Sequence, residues 1–447
     1  MTLFPPSLLL SALSLNKRIL RLALPAIVNN ITVPLLGLCD TTIAGHLGSP
    51  SYIGAMALGA MMLNVIYWLC GFLRAGTTGM TSQAFGAEHF DMTRDVLRKA
   101  LYIALAIAIA AICCLSPLRR LLFLILQPAP DVAPLASQYF RICLLAAPAQ
   151  LAIMAISGWF IGLQNTLVPM LIAVGINVVN IALSISFVWG FNLGFAGVAY
   201  GTLSANWLGL LAAVAFVIHR LRRLPDRECG RRVAWGKFFK VNTDLFFRSA
   251  CIMAVSLIMT SIGSRIGEIT LAANAVMMQF FLFFSYFMDG FAFAGEAIVG
   301  NAAGARDHLA INRGVKALMG WGAAMSAIFL QIYILLPDFI VAFITDVKEV
   351  RLAVADMHIW LALLPPITVS AFIFDGVFIG LTRSRDLLVT TLIATAAFVA
   401  IAFFPGGFNE IPSNSLLWLA FETYLLLRGI LLAARFMKFQ RISLTFL

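Results

Sequence analysis

Apolar residues run along this chain in long blocks, with short polar or basic connections between them. Blocks of roughly 20 residues, the length that crosses a bilayer as a helix, lie near residues 20–43, 54–80, 96–117, 133–157, 165–190 and 194–219. A second set lies near 247–266, 271–298, 314–336, 352–379, 385–405 and 413–436. The pattern predicts an all-α integral membrane protein of twelve spans.

The two sets are copies of one another. Gly158-Trp159-Phe160-Ile161-Gly162-Leu163 returns as Gly376-Val377-Phe378-Ile379-Gly380-Leu381, 376 − 158 = 218 residues later. The same offset carries Pro148 onto Pro366, Ala57 onto Ala275, and Gly86-Ala87 onto Gly304-Ala305. Six spans per copy is an even number, so both copies enter the bilayer from the same side. Their relation is then a pseudo-two-fold axis along the membrane normal. The expected organisation is an N-terminal lobe at 1–219, a basic linker at 220–246 and a C-terminal lobe at 247–447. A linker of that length lets the lobes move separately, and two lobes that rock against one another point to transport.

Composition narrows the class. Of 447 residues, 61% are hydrophobic and 11% charged, against about 45–50% and about 25% in soluble domains. The formal charge of +11 is largely a topology signal. Arg220, Arg222, Arg223, Arg227, Arg231, Arg232, Lys237 and Lys240 follow span six. Further Lys and Arg follow spans two, eight, ten and twelve, whereas Gly45–Tyr52, Phe191–Phe195 and Gly406–Ser415 hold none. The positive-inside rule therefore makes both termini cytoplasmic, in a plasma or bacterial inner membrane. Basic loops beside spans are read on this basis as topology and not as a nucleic-acid surface. The seven Cys lack metal or CxxC spacing, the five His are scattered, and no HExxH or GxSxG pattern occurs, so neither an enzyme nor a bound cofactor is expected. The first apolar block runs into a full span with no cleavage site, so no removable signal peptide is expected.

Ionisable residues inside spans cost roughly 2.5–3.5 kcal/mol on insertion scales and usually face a cavity. Asp40 follows an uncharged stretch in span one, which also carries Pro25 and Pro34, candidate bends that free backbone carbonyls. A carboxylate facing a wet cavity can take up and release a proton; the alternative is a helix-end acid that reaches interfacial water. In span five, Asn177, Asn180 and Ser184 share one face, either toward a ligand or toward a neighbouring helix. At the 218 offset they become Thr395, Phe398 and Ala402, so the polar face belongs to one copy only. The second copy has its own acids. Asp289 and Glu296 lie seven apart in span eight, and Asp375 stands where the first copy has Ser157. These form either a second cation-binding cluster or a structural network with Arg74 or polar backbone. Glu296 lies near a span end, where solvation is the alternative. Glu422 and Arg428, six apart, are poorly spaced for a direct pair.

Four stretches resemble the multidrug and toxic compound extrusion (MATE) transporters, in particular the DinF-like branch. They are Leu38-Cys39-Asp40-Thr41-Thr42-Ile43-Ala44-Gly45-His46-Leu47-Gly48, Leu73-Arg74-Ala75-Gly76-Thr77-Thr78-Gly79, Asp289-Gly290-Phe291-Ala292-Phe293-Ala294-Gly295-Glu296-Ala297, and Phe374-Asp375-Gly376-Val377-Phe378-Ile379-Gly380-Leu381-Thr382-Arg383. The resemblance covers essentially the whole chain. It implies a V-shaped secondary active exporter working by alternating access against H+ or Na+. It further implies proton coupling at Asp40, a polar N-lobe pocket including Asn180 and Thr202, and bending at Pro25. One position departs: similar proteins often carry a second acid in span five, where this chain has Ser184.

The resulting expectation is an H+-coupled exporter of amphipathic, cationic organic compounds, with Asp40 as the coupling residue and Asn177, Asn180, Ser184 and Thr202 as the pocket. Membrane lipids and a small organic substrate are the expected partners, nucleic acid is not, and a monomer suffices because one chain holds both lobes. The alternatives are Na+ coupling and a lipid or lipid-linked oligosaccharide flippase.

Overall fold

The computed structural model describes residues 6–127, 129–225, 232–403 and 412–445. Arg227, Cys229 and Arg231 of the expected linker, and residues 406–411 of the expected loop without Lys or Arg, lie outside the described residues. Every regular element among the described residues is helical. In chain order these are α1 (Pro6–Gly45), α2 (Pro50–Leu69), α3 (Phe72–Gly86), α4 (Phe90–Cys113), α5 (Leu115–Leu126), α6 (Ala133–Leu144), α7 (Ala147–Gly162) and α8 (Leu167–Ile185). They continue with α9 (Phe195–Leu221), α10 (Trp235–Ile266), α11 (Glu268–Gly304), α12 (His308–Leu335), α13 (Pro337–Ile344), α14 (Lys348–Ala355), α15 (His358–Gly380), α16 (Ser384–Phe403) and α17 (Asn414–Thr445).

Eleven helical segments are long and apolar enough to cross a membrane, and a twelfth span results if α6 and α7, bent by 52° at their junction, are counted together. The bend replaces the straight helix expected at 133–157; Pro148 sits in the first turn of α7, where a missing N–H costs nothing. Two other expected spans have different bounds from those read in the sequence. The block at 96–117 stops at Cys113 and α5 follows as a separate helix, while the block at 352–379 begins only at His358, after α14. Hydropathy continues across such breaks, but the backbone does not.

The repeat is visible in backbone conformation. Glu88 and Arg306, 218 apart, close α3 and α11 with left-handed φ of 56° and 57°. Gln164 and Thr382 close α7 and α15 with φ of 65° and 52°. In each turn the next amide reaches back to a carbonyl of the last helical turn: His89 N to Ala84 O and Asp307 N to Ala302 O at 2.9 Å, Asn165 N to Phe160 O at 2.9 Å, and Arg383 N to Phe378 O at 3.0 Å. This six-to-one bond satisfies orphan carbonyls at a helix end.

The repeated glycines fix helix crossings. A Cβ on Gly158 would lie 2.3 Å from Arg74 O, and one on Gly376 would lie 2.2 Å from Ala292 O. One on Gly162 would lie 2.9 Å from Thr78 O, and one on Gly380 2.8 Å from Glu296 O. Arg74 and Thr78 are related to Ala292 and Glu296 by the same 218 residues. In each copy, therefore, a small-xxx-small face lays one helix directly on the backbone of another.

Contacts divide the chain into two compact units, Val28–Phe238 and Met1–Ile27 with Phe239–Leu447, called here the N unit and the C unit. The start of span one, read from the sequence as part of the N-terminal lobe, thus clusters with the C-terminal helices. Two contacts and one glycine hold it there. Trp321 Nε1 donates to Asn16 Oδ1 at 3.1 Å, Arg18 donates to Asn301 Oδ1 at 3.3 Å, and Gly290 leaves room for Ile27 and the Ala23 carbonyl.

The reciprocal holds for the linker, whose residues from Trp235 onward are already helix. Asp95 Oδ2 accepts the Val233 amide at 3.0 Å, and Lys99, salt-bridged to Asp95, donates to the Val233 carbonyl. Arg94 donates to Leu224 O at 3.4 Å. Around Val233 the linker is tied to α4 through both of its backbone groups.

Substituting Gly376→Val is expected to lower the thermal unfolding midpoint of the purified protein through overpacking of about 1–3 kcal/mol or more. Gly320→Ala, where a Cβ meets nothing within 4 Å, is expected to leave it unchanged.

Candidate functional site: a polar network in the N unit and a buried ion cluster in the C unit

The N unit gathers polar side chains from α1, α6, α8 and α9. Asn180 and Ser184, fully buried on α8, face α9. Ser184 Oγ donates to Asn180 Oδ1 at 3.1 Å, which fixes the amide so that its Nδ2 donates to Thr202 Oγ1 at 3.0 Å. Thr202 Oγ1 passes its own proton to Val198 O at 3.2 Å, and Asn206 Nδ2 donates to Thr202 O at 2.8 Å. The Tyr139 side chain on α6 hydrogen-bonds Thr202 and also meets Cys143. A network closed in this way holds its members in one arrangement, because every unmade bond in a buried site is costly.

Local sequence explains the approach of α8 to α9. A Cβ at Gly201 would lie 2.2 Å from Ser184 Oγ, so the two helices touch where both residues are small. The position where similar proteins often carry an acid is a tight contact here. Ser184 serves as the donor that orients Asn180.

Asp40, near the end of α1, is 7% exposed. It lies close enough to Tyr139 and Cys143 for its charge to act on both. Its Oδ1 is buried without a hydrogen-bond partner among the described residues. The alternative of a helix-end acid reaching interfacial water does not describe this side chain. Asn177 goes elsewhere: half-buried, it donates to Thr32 O of α1 at 3.0 Å and ties α8 to α1. Asn180, Ser184 and Thr202 are therefore brought together, Asp40 joins them by way of Tyr139, and Asn177 crosslinks helices one turn away. Pro25 is half-buried and Pro34 exposed, within a helix that runs unbroken through both.

The C unit treats its acids differently. Asp375 Oδ2 accepts from Arg428 at 2.5 Å and also from Arg248, and Arg428 reaches the Tyr424 hydroxyl at 3.4 Å and stacks on its ring. The arginines that engage Asp375 come from α10 and α17; the sequence reading named Arg74 as the candidate partner and considered Arg428 only against Glu422. Glu296 is 1% exposed, so its place near the end of span eight does not solvate it. Asp289 is half-buried beside Tyr286. Glu422 is 3% exposed, with Oε1 lacking a partner among the described residues. The i,i+6 spacing of Glu422 and Arg428 says nothing of what each meets across helices.

Tyr139, Cys143 and Asn206 were missed because nothing in their local sequence distinguishes them. The offset was the available signal: they stand opposite Met357, Leu361 and Tyr424, so the comparison of copies applied to the α8 face would have found Tyr139 and Cys143 as well. Among the described residues no group of three or more His, Cys, Asp or Glu could hold a metal.

Together, apolar spans in two matched sets, a buried network and a buried carboxylate define a polytopic membrane protein of the transporter class. Comparison with known proteins gives the family: the MatE family model matches residues 25–186 and 245–404, one block per copy, and the chain belongs to this family. It is 34% identical over 435 residues to DNA damage-inducible protein F of Escherichia coli (strain K12), covering 94% of this chain and 92% of that protein. It is 26% identical over 407 residues to the probable multidrug resistance protein NorM of Pseudomonas aeruginosa, covering 86% and 80%. A crystal structure of a MATE protein in the bent conformation superposes with a TM-score of 0.85 at 18% identity, covering 97% of this chain and 99% of that one. A MOP superfamily transporter from Pyrococcus furiosus gives 0.79 at 17%, covering 96% of each. MatE proteins are multidrug and toxin extrusion transporters, not enzymes.

Replacing Asp375 by Ala leaves two buried guanidinium groups without their carboxylate. Breaking a buried pair in this way costs about 3–5 kcal/mol. The thermal unfolding midpoint in detergent is expected to fall accordingly, whereas Arg248→Met, which leaves Arg428 on Asp375, is expected to lower it much less.

Proposed function

We propose that this protein exports amphipathic, cationic organic compounds in exchange for protons, by alternating access, with Asp40 as the coupling residue. One observation carries the reading. Asp40 is buried with an unpartnered oxygen, beside a network whose other hydrogen-bonding members, Asn180, Ser184, Thr202 and Asn206, are neutral. A single negative charge in that setting serves a cation and a proton alternately. Facing outward, Asp40 takes up a proton and the pocket loses its hold on the cation. Facing inward, it releases the proton and the site is charged again. Orientation with both termini cytoplasmic in a plasma membrane belongs to the same reading and is supported by the basic loops.

Ser184 bears on the choice of ion. Coordinating Na+ favours several oxygen ligands, commonly including more than one carboxylate, and the carboxylate of this network is Asp40. Its neighbours spend their oxygens on one another, which favours H+. A phosphate-bearing cargo would call for free cations within the spans, where Arg248 and Arg428 are engaged by Asp375.

The test is uptake of a fluorescent organic cation into proteoliposomes, with H+ and Na+ gradients imposed separately. Wild-type protein is expected to respond to the H+ gradient. Asp40→Asn, neutral like the protonated acid, is expected to bind the cation more weakly and to lose pH-driven transport by a factor of a hundred or so, the scale on which a proton-transfer group contributes (about 10²–10⁴). Full pH-driven transport by Asp40→Asn, or transport driven by Na+ alone, would sink the proposal.

Ser184→Ala is expected to leave the coupling ion unchanged and to weaken substrate affinity a few-fold, since the Asn180 amide loses a bond worth about 1 kcal/mol. Equilibrium binding in detergent measures it.

A further inference from the structure

The two units differ in how one equivalent groove is filled. In the N unit, the first turns of α4 present Asp95, Arg98 and Lys99, and Asp95 with Lys99 clasps the backbone of Val233. Val233 is 6% exposed. At the 218 offset these positions become Arg313, Lys316 and Ala317 on α12, and Val233 corresponds to Leu15 on α1. The acid that accepts the seated backbone has become a cation, and the lysine that donates to it has become a methyl group. No clasp forms in the C unit among the described residues.

What lies there instead is a cavity of about 1120 Å³, bounded by α1, the end of α11 and the start of α12. Arg18, Arg313 and Lys316 stand at its polar side, and Leu15, Ile298 and Leu309 are among its apolar walls. Arg313 and Lys316 are exposed and form no ion pair among the described residues. The acid of the lining, Asp307, is committed: its side chain caps α12 by accepting the Ala310 amide at 2.8 Å. The groove is thus cationic over an apolar floor, and Leu309 extends the apolar part outward at 67% exposure. Asn16 and Asn301, bonded to Trp321 and Arg18, hold its sides together.

We infer that this groove is a binding site for an anionic phospholipid, with the headgroup phosphate at Arg18, Arg313 and Lys316 and an acyl chain along Leu15 and Leu309. Charge complementarity chooses the occupant: the N-unit groove mixes acid and base and takes a neutral peptide group, while the C-unit groove keeps only bases for a ligand. Basic pockets between spans are the recognised setting for acidic headgroups, and each nearby Lys or Arg strengthens such binding. An amphipathic ligand is required because the apolar walls give a free phosphate nothing. The inference is independent of the coupling ion and of the exported compound.

The full chain in detergent is titrated with fluorescent phosphatidylglycerol and, in parallel, with the matching phosphatidylcholine. Wild-type protein is expected to prefer phosphatidylglycerol. Arg313→Asp, which restores the residue type of the equivalent N-unit position, is expected to weaken phosphatidylglycerol binding about tenfold or more while leaving phosphatidylcholine unchanged. Arg313→Lys is expected to retain the preference, which separates lost charge from lost folding. Removing two exposed cations outside the groove, in Arg222→Ala with Arg223→Ala, is expected to have little effect. Equal affinity of wild type for the two lipids would overturn the assignment, as would an unchanged Arg313→Asp variant. An equal loss in the Arg222/Arg223 control would mark a general surface potential and overturn it too. Displacement by inorganic phosphate as effective as by lipid would make the groove a small-anion site, against the proposal.

Discussion

Each half of this protein rests on a helix that meets a neighbouring backbone through two glycines with no space for a side chain. Gly158 and Gly162 lie on the carbonyls of Arg74 and Thr78, and Gly376 and Gly380 on those of Ala292 and Glu296. In a bilayer the hydrophobic effect does not drive helices together, so close van der Waals contact has to. This contact sets α7 against α3 and α15 against α11 at the same height in both copies. The turns that close these helices use left-handed residues at matched positions. The side chains that differ between the copies are therefore displayed on two equal frames.

On those frames the halves hold charge in opposite ways. The N unit buries a carboxylate with an open oxygen next to a network of neutral groups. The C unit buries Asp375 between two arginines, an arrangement that is expensive to break. The asymmetry gives Asp375 two arginines and Asp40 none among the described residues. It also bears on the seating of each first span. The N-unit helix α4 clasps the lead-in of the seventh span, and the C-unit helix α12 borders the lead-in of the first. Each unit thus includes residues that the other half of the sequence would claim.

Much of this was legible before any coordinates. The offset of 218 residues located both glycine pairs, and the failure of that offset at Asp40, Asn180 and Ser184 marked the polar network. Other residues were hidden for physical reasons. Tyr139 and Cys143 sit in an ordinary apolar helix and gain their meaning only from what faces them. Arg248 is 127 residues from the carboxylate it engages. Asn177 shares a helix face with Asn180 and yet bonds the backbone of α1, since one turn of rise is enough to change the neighbour. For Glu296 the alternative was solvation at a span end, and it is buried, because the helix runs on past it to Gly304.

The sequence by itself determined the number of spans, the duplication, the family resemblance and the glycines, because bilayer length, periodicity and the absence of a side chain are written residue by residue. Only the tertiary structure decided which buried charges are paired, which amide is turned toward which hydroxyl, and which unit holds each lead-in segment. Those outcomes depend on distances between helices far apart in the chain. A carboxylate in a span reads the same whether an arginine from another helix reaches it, as at Asp375, or none does, as at Asp40.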